Sequence, residues 1–114
     1  MIKPIIAMLL LSIAAPSMAK VLTTKDNLLS VTVSSDRVYV RTPAENDVLT
    51  CLLRKTMESP KWESGEPGKA MFYACSNGAV LSFKNYTSRS HNDMVFIFEG
   101  DKLMYSDDLD GKVQ

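Results

Sequence analysis

Thr42-Pro43-Ala44-Glu45-Asn46-Asp47-Val48-Leu49-Thr50-Cys51-Leu52-Leu53-Arg54-Lys55-Thr56-Met57 is the stretch on which the fold class turns. It opens like a capping box, with Thr42 three residues before Glu45 and Pro43 at the first helical position, where a missing N–H costs nothing. Val48, Leu49, Leu52, Leu53 and Met57 then recur at the spacing of one helical face. The run from Val48 to Leu53 also suits a buried strand. Start signal and periodicity agree on a helix from Pro43 to Met57, and that agreement sets the expectation.

Upstream, Leu28-Leu29-Ser30-Val31-Thr32-Val33 alternates, Ser34-Ser35-Asp36 turns, and Arg37-Val38-Tyr39-Val40-Arg41 alternates again. A period of two sends alternate side chains to opposite faces, so this is a hairpin with Val38 and Val40 in the core and Arg37, Tyr39 and Arg41 on the other face. Downstream, Ser59 to Lys69 is rich in proline and glycine and reads as a loop. Strands over Ala70–Cys75 and Ala79–Lys84 flank Asn77-Gly78, the strongest hairpin signal in the chain. Asn85 to Asn92 is polar, Asp93 to Glu99 has an apolar strand core, Gly100-Asp101 turns, and Lys102 to Tyr105 pairs back. Asp108-Leu109-Asp110-Gly111 is short of the ligands a calcium loop requires and is expected to fray as an acidic tail.

The N-terminal residues have a different character. Met1-Ile2-Lys3 is positive, Ile5 to Leu11 is apolar, and Ser17-Met18-Ala19 has the small-x-small form of a cleavage site. This order is the grammar of a secretory signal peptide, with cleavage expected before Lys20. The apolar run is shorter than the roughly 20 residues of a membrane span. Residues 1–19 are therefore expected to be removed, and residues 20–114 to fold as one small domain in the periplasm or outside the cell. Basic and acidic residues number 13 each. Losing Lys3 leaves a slight acidic excess, which speaks against a basic nucleic-acid binder and against attraction to an anionic membrane surface.

Cys51 and Cys75 are the only cysteines. An even count in an oxidising compartment favours a disulfide between them. Metal ligation would need further Cys or His at ligand spacing, and His91 is the only histidine, so neither metal nor cofactor is expected.

Ser88-Arg89-Ser90-His91-Asn92-Asp93 gathers serines, the histidine and an acid, but a catalytic triad is assembled from residues distant in sequence. A contact surface is the better reading. Two loops are the candidate partner-binding surfaces: Lys61, Trp62 and Glu63 in the first, and Tyr86, Ser88, Arg89 and His91 in the second. Trp, Tyr and Arg dominate interface energetics, and restrained loops lose less entropy on binding. Binding is expected rather than catalysis.

Phe72-Tyr73-Ala74-Cys75-Ser76-Asn77-Gly78 resembles the aromatic-x-Cys-x-x-Gly element of the MliC-type bacterial lysozyme inhibitors, small exported β-barrels that block lysozymes. Their downstream Ser-Gly-x-x-Tyr element has no counterpart here, so no functional residue is carried over. In size, signal and disulfide the chain also looks like small periplasmic immunity proteins that protect bacteria from wall-degrading toxins. The resemblance implies a protein partner, a peptidoglycan hydrolase or toxin, blocked by occlusion of its cleft. The alternative expectation is a structural or assembly component of the cell envelope.

Assembled, these readings predict an α+β domain, an antiparallel sheet of about six strands with one helix packed on it and one disulfide, because sequential strands tend to pair. The alternative is an all-β sandwich or small barrel. A single helix would leave the Arg37, Tyr39 and Arg41 face open to homodimer formation.

Overall fold

Strand follows strand through the residues that the computed structural model describes, 19–42, 48–58 and 67–114. They are β1 (Lys20–Thr23), β2 (Ser30–Val33), β3 (Arg37–Arg41), β4 (Val48–Glu58), β5 (Gly68–Cys75), β6 (Val80–Tyr86), β7 (Met94–Glu99) and β8 (Lys102–Asp108). All lie in one sheet in chain order, each antiparallel to the next.

The expected helix from Pro43 to Met57 is overturned. Residues 43–47 lie outside the described residues, and Val48–Glu58 is an 11-residue strand. It pairs with β3 from Val48 to Leu52 and with β5 from Cys51 to Glu58. A capping signal contributes only about 1 kcal/mol. As a strand, the same residues supply both β3 and β5 with a hydrogen-bonding partner, whereas a helix would leave two sheet edges bare. Alternation then sends Leu49, Cys51 and Leu53 to the core face and leaves Val48 and Leu52 on the other, 43% and 44% exposed. The α+β assignment falls with the helix, and the described residues of the domain are all-β.

Two further expectations are corrected. The sheet has eight strands among the described residues rather than about six, because β1 joins β2 and β4 is recruited to the sheet. The acidic tail does not fray: β8 runs to Asp108, and Leu109 and Val113 are buried in the core cluster.

The sheet curls into a half-barrel. Register shifts at Leu53/Lys55 in β4 and at Ile97/Phe98 in β7 bend the strands locally, as bulges do. The first and last strands meet at a short seam, where Thr24 bridges Leu109, the Lys25 N–H donates to Asp108 O at 3.0 Å, and the Asp110 N–H donates to Thr23 O at 3.0 Å. Inside the curl, Val31, Val33, Val38 and Val40 from the first hairpin join Leu81, Phe83 and Val95 from the later strands. Tyr73 meets Phe83 edge-to-face with centroids 5.6 Å apart, a favoured aromatic geometry. Cys51 and Cys75 stand directly opposite one another on β4 and β5 and form the disulfide. Their separation of 24 residues corresponds to about 3.5 kcal/mol in the chain-entropy account.

Candidate functional site

A meander of hairpins delivers alternate connections to the same end of a sheet. The end of β4 and the start of β5 therefore lie at the same end of the sheet as the β6–β7 connection, and the Thr87 N–H donates to Pro67 O at 3.1 Å there. Lys61, Trp62 and Glu63 fall in residues 59–66, outside the described residues. Of the described residues that flank them, Pro67 lies beside the second candidate loop through that bond. The turn at Ser34-Ser35-Asp36 and the segment from Leu109 to Gln114 lie there too, and a cavity of about 360 Å³ opens between Val33, Leu53, Met71, Tyr73 and Val113.

The second loop, residues 87–92, owes its shape to a cluster beneath it. Asp93 is fully buried at the entrance to β7. Its Oδ2 accepts from Asn85 Nδ2 at 2.6 Å and from the Val113 N–H at 2.7 Å, and its Oδ1 accepts from the Tyr86 N–H at 3.0 Å. Lys112 Nζ lies 2.8 Å from Oδ1, with side-chain exposures of 12% for Lys112 and 0% for Asp93. A buried carboxylate is tolerable only when paired and hydrogen-bonded, and this one meets both conditions. Its backbone is tied as well, because its N–H donates to Gly111 O at 3.0 Å and its carbonyl accepts from the Leu109 N–H at 2.7 Å.

Lys112 extends the cluster into the loop. Its ammonium donates to Tyr86 O at 2.5 Å, Ser88 O at 3.0 Å and His91 O at 2.8 Å. The His91 ring stacks on Tyr86 with centroids 3.9 Å apart. Within the loop the His91 N–H donates to Ser88 O at 3.2 Å, and the Ser88 and Ser90 hydroxyls are 2.9 Å apart.

The four expected contact residues of this loop therefore play different parts. Ser88 and Arg89 are exposed and His91 is half-buried. Tyr86 is only 5% exposed and serves as the platform under His91. Four donors fill the lone-pair positions of the Asp93 carboxylate, so it is a structural anchor and not the acid that would orient His91 in a triad. Asn85, Asp93 and Lys112 were not expected as part of the site. One signal was legible: an acid directly before the apolar run Met94–Phe98 enters a core strand and needs a buried cation.

Among the described residues, no group of His, Cys, Asp and Glu is placed to hold a metal, and no helix is long and apolar enough to cross a membrane. On the outer face of the sheet, Phe72, Phe96 and Phe98 surround Ala70 and Ser82 in a shallow cleft of about 200 Å³, with Lys84 Nζ 5.3 Å from the Phe96 ring centroid. Comparison with known proteins yields no matching family model, no matching curated protein and no matching solved structure.

Proposed function

We propose that the protein is a small exported binding protein that inhibits a peptidoglycan-degrading enzyme by occluding its cleft, either as a lysozyme inhibitor or as a periplasmic immunity protein against a secreted toxin. One observation carries this reading: the 87–92 loop, held from below by Lys112, presents the exposed Ser88 and Arg89 at one end of the sheet. A loop already ordered before binding loses little entropy on docking, which suits a surface that must plug a cleft. Arg89 pairs with the carboxylates that glycoside hydrolases place on either side of the scissile bond, and Trp62 adds a large apolar contact. The protein acts by binding and performs no turnover.

The test is inhibition of wall lysis by the mature protein, assayed by turbidity against chicken-type lysozyme, other muramidases and any toxin encoded beside the gene. Arg89→Ala and Trp62→Ala are expected to weaken inhibition about thirtyfold or more, the loss typical of interface hot spots, with melting temperature nearly unchanged. Absence of inhibition by the wild type across the panel rejects the reading.

A second reading, an envelope assembly component, is favoured by the outer face. Phe72, Phe96 and Phe98 are only half-buried there, and Arg37, Tyr39 and Arg41 stand on the same face across β3, opposite Leu52, Thr50 and Val48. Homodimer formation through that face is part of this reading. Sedimentation at micromolar concentration decides it: association that Tyr39→Ser or Phe96→Ser abolishes supports assembly, and a monomer throughout disposes of it.

A further inference from the structure

Four oxygens converge on the Lys112 ammonium: the carbonyls of Tyr86, Ser88 and His91 and Oδ1 of Asp93, all between 2.5 and 3.0 Å from Nζ. An ammonium has three protons to offer, so four acceptors are not matched one to one by N–H bonds. Backbone carbonyls and a carboxylate wrapped about one point are the donor set that a hard cation gathers. Here the cation is supplied by the chain, on a stem whose ammonium passes 5.9 Å from the centroid of the Tyr86 ring.

We infer that Lys112 is the positioning residue of the 86–92 loop, its ammonium acting as a tethered cation around which the loop backbone is wrapped, and that the cage it fills is a latent site for a monovalent cation or a small alkylammonium. Three of the four oxygens belong to the loop or its first residue, and the fourth anchors the cage to the core through Asp93. Without the charge, three carbonyl dipoles face one another across the cage with nothing between them. Their mutual repulsion opens the loop, and the His91 ring, three bonds from one of those carbonyl carbons along its own residue, leaves the face of Tyr86. The strand ladders contain no bond to Lys112, and the sheet depends on it only through the buried charge of Asp93. The consequence for binding rests on the reading of this loop as the contact surface, whereas the cage itself does not.

Hydrogen exchange and NMR of the mature chain test the inference. Lys112→Met keeps the stem and removes the charge, and the double variant Asp93→Asn/Lys112→Met removes both buried charges so that no lone carboxylate is left to unfold the domain. In the double variant the strand amides should remain protected while the His91 amide exchanges at least about tenfold faster. The His91 ring protons should lose the ring-current shift imposed by Tyr86. Lys112→Ala should open the loop likewise, and propylammonium or potassium chloride should restore slow exchange, while tetramethylammonium, too bulky and without an N–H, should not. Wild-type loop protection in both methionine variants overturns the inference, as does an open Lys112→Ala loop that neither cation restores. Parallel loss of sheet and loop protection in the double variant also overturns it, by making Lys112 a general fold residue. In lysis inhibition, Lys112→Met should bind its hydrolase about tenfold more weakly through the cost of ordering the loop. If the wild type inhibits no hydrolase, the functional reading fails while the exchange result still judges the cage.

Discussion

The Tyr105 phenol donates to both carboxylate oxygens of Asp26, at 2.8 and 2.7 Å, and so ties β8 to the turn that follows β1. Asp26 organises that turn as well, accepting from the Thr24 hydroxyl at 2.7 Å and from the Leu28 N–H at 2.9 Å. With the Thr24–Leu109 bridge, these contacts make up the seam of the half-barrel. A sheet with two open edges is a template for unwanted pairing, and the seam shortens both.

The seam should give stability a dependence on pH at both extremes. Hydrogen bonds from the Leu28 N–H, then from Thr24 and Tyr105, hold the Asp26 carboxyl below the ordinary value of 3.8. A depressed carboxyl contributes stability that is present above its unfolded value and lost as pH falls through the folded one. Burial first, and the Asp26 charge beside it, push the Tyr105 phenol from 10.0 to about 12. That contribution is present below pH 10.0 and lost as pH rises toward about 12. Thermal melts across pH should show Asp26→Asn with a shallower acid limb. Tyr105→Phe should melt a few degrees lower at neutral pH with a shallower alkaline limb, and limbs parallel to the wild type would remove the seam from the account.

Reduction of the Cys51–Cys75 bridge should cost about 3.5 kcal/mol, since it releases the loop between two directly opposed positions on β4 and β5. Urea unfolding with and without reductant measures it. Thiol titration of the denatured, unreduced protein should find no reactive thiol.

Gly78 sits at φ +91° in the β5–β6 turn, where the Gly78 N–H donates to Cys75 O at 2.9 Å and Asn77 Oδ1 accepts from the Ala79 N–H at 2.9 Å. A Cβ at this position would meet nothing within 4 Å. Gly78→Ala therefore isolates backbone strain from packing, and should lower stability by about 1 kcal/mol with the sheet unchanged. Equal melting temperatures for the two proteins would show that the turn relaxes to another form.

Processing is the remaining prediction. The positive start, apolar run and Ser17-Met18-Ala19 pattern predict a mature N-terminus at Lys20, and intact-mass spectrometry of exported protein should find it there within a residue or so. A membrane-held form that keeps Met1 would refute it.

Local pattern sufficed wherever the residue spacing had only one reading. Alternation over Ser30–Val33 and Arg37–Arg41 yields the observed faces, Asn77-Gly78 yields the β5–β6 hairpin, and two cysteines yield the bridge. It failed at Val48–Glu58, where apolar residues fit both periods and the local start signal favoured the wrong one. Only the sheet could decide that case, because β3 and β5 each required a partner along an edge and a strand between them satisfies both. The same holds for the loop. Tyr86, Ser88, Arg89 and His91 are legible as a polar, aromatic-bearing stretch, and the place of Asp93 before an apolar run signals that it needs a cation, but nothing in the spacing announces that Lys112 is that cation. Those roles depend on Leu109 to Gln114 returning across the end of the sheet, a contact between distant residues that a one-dimensional pattern does not carry. Sequence alone determined the alternating strands, the turn and the cysteine pair, whereas tertiary structure decided which apolar run became a strand and which charge shapes the loop, because both depend on neighbours supplied by the curled sheet.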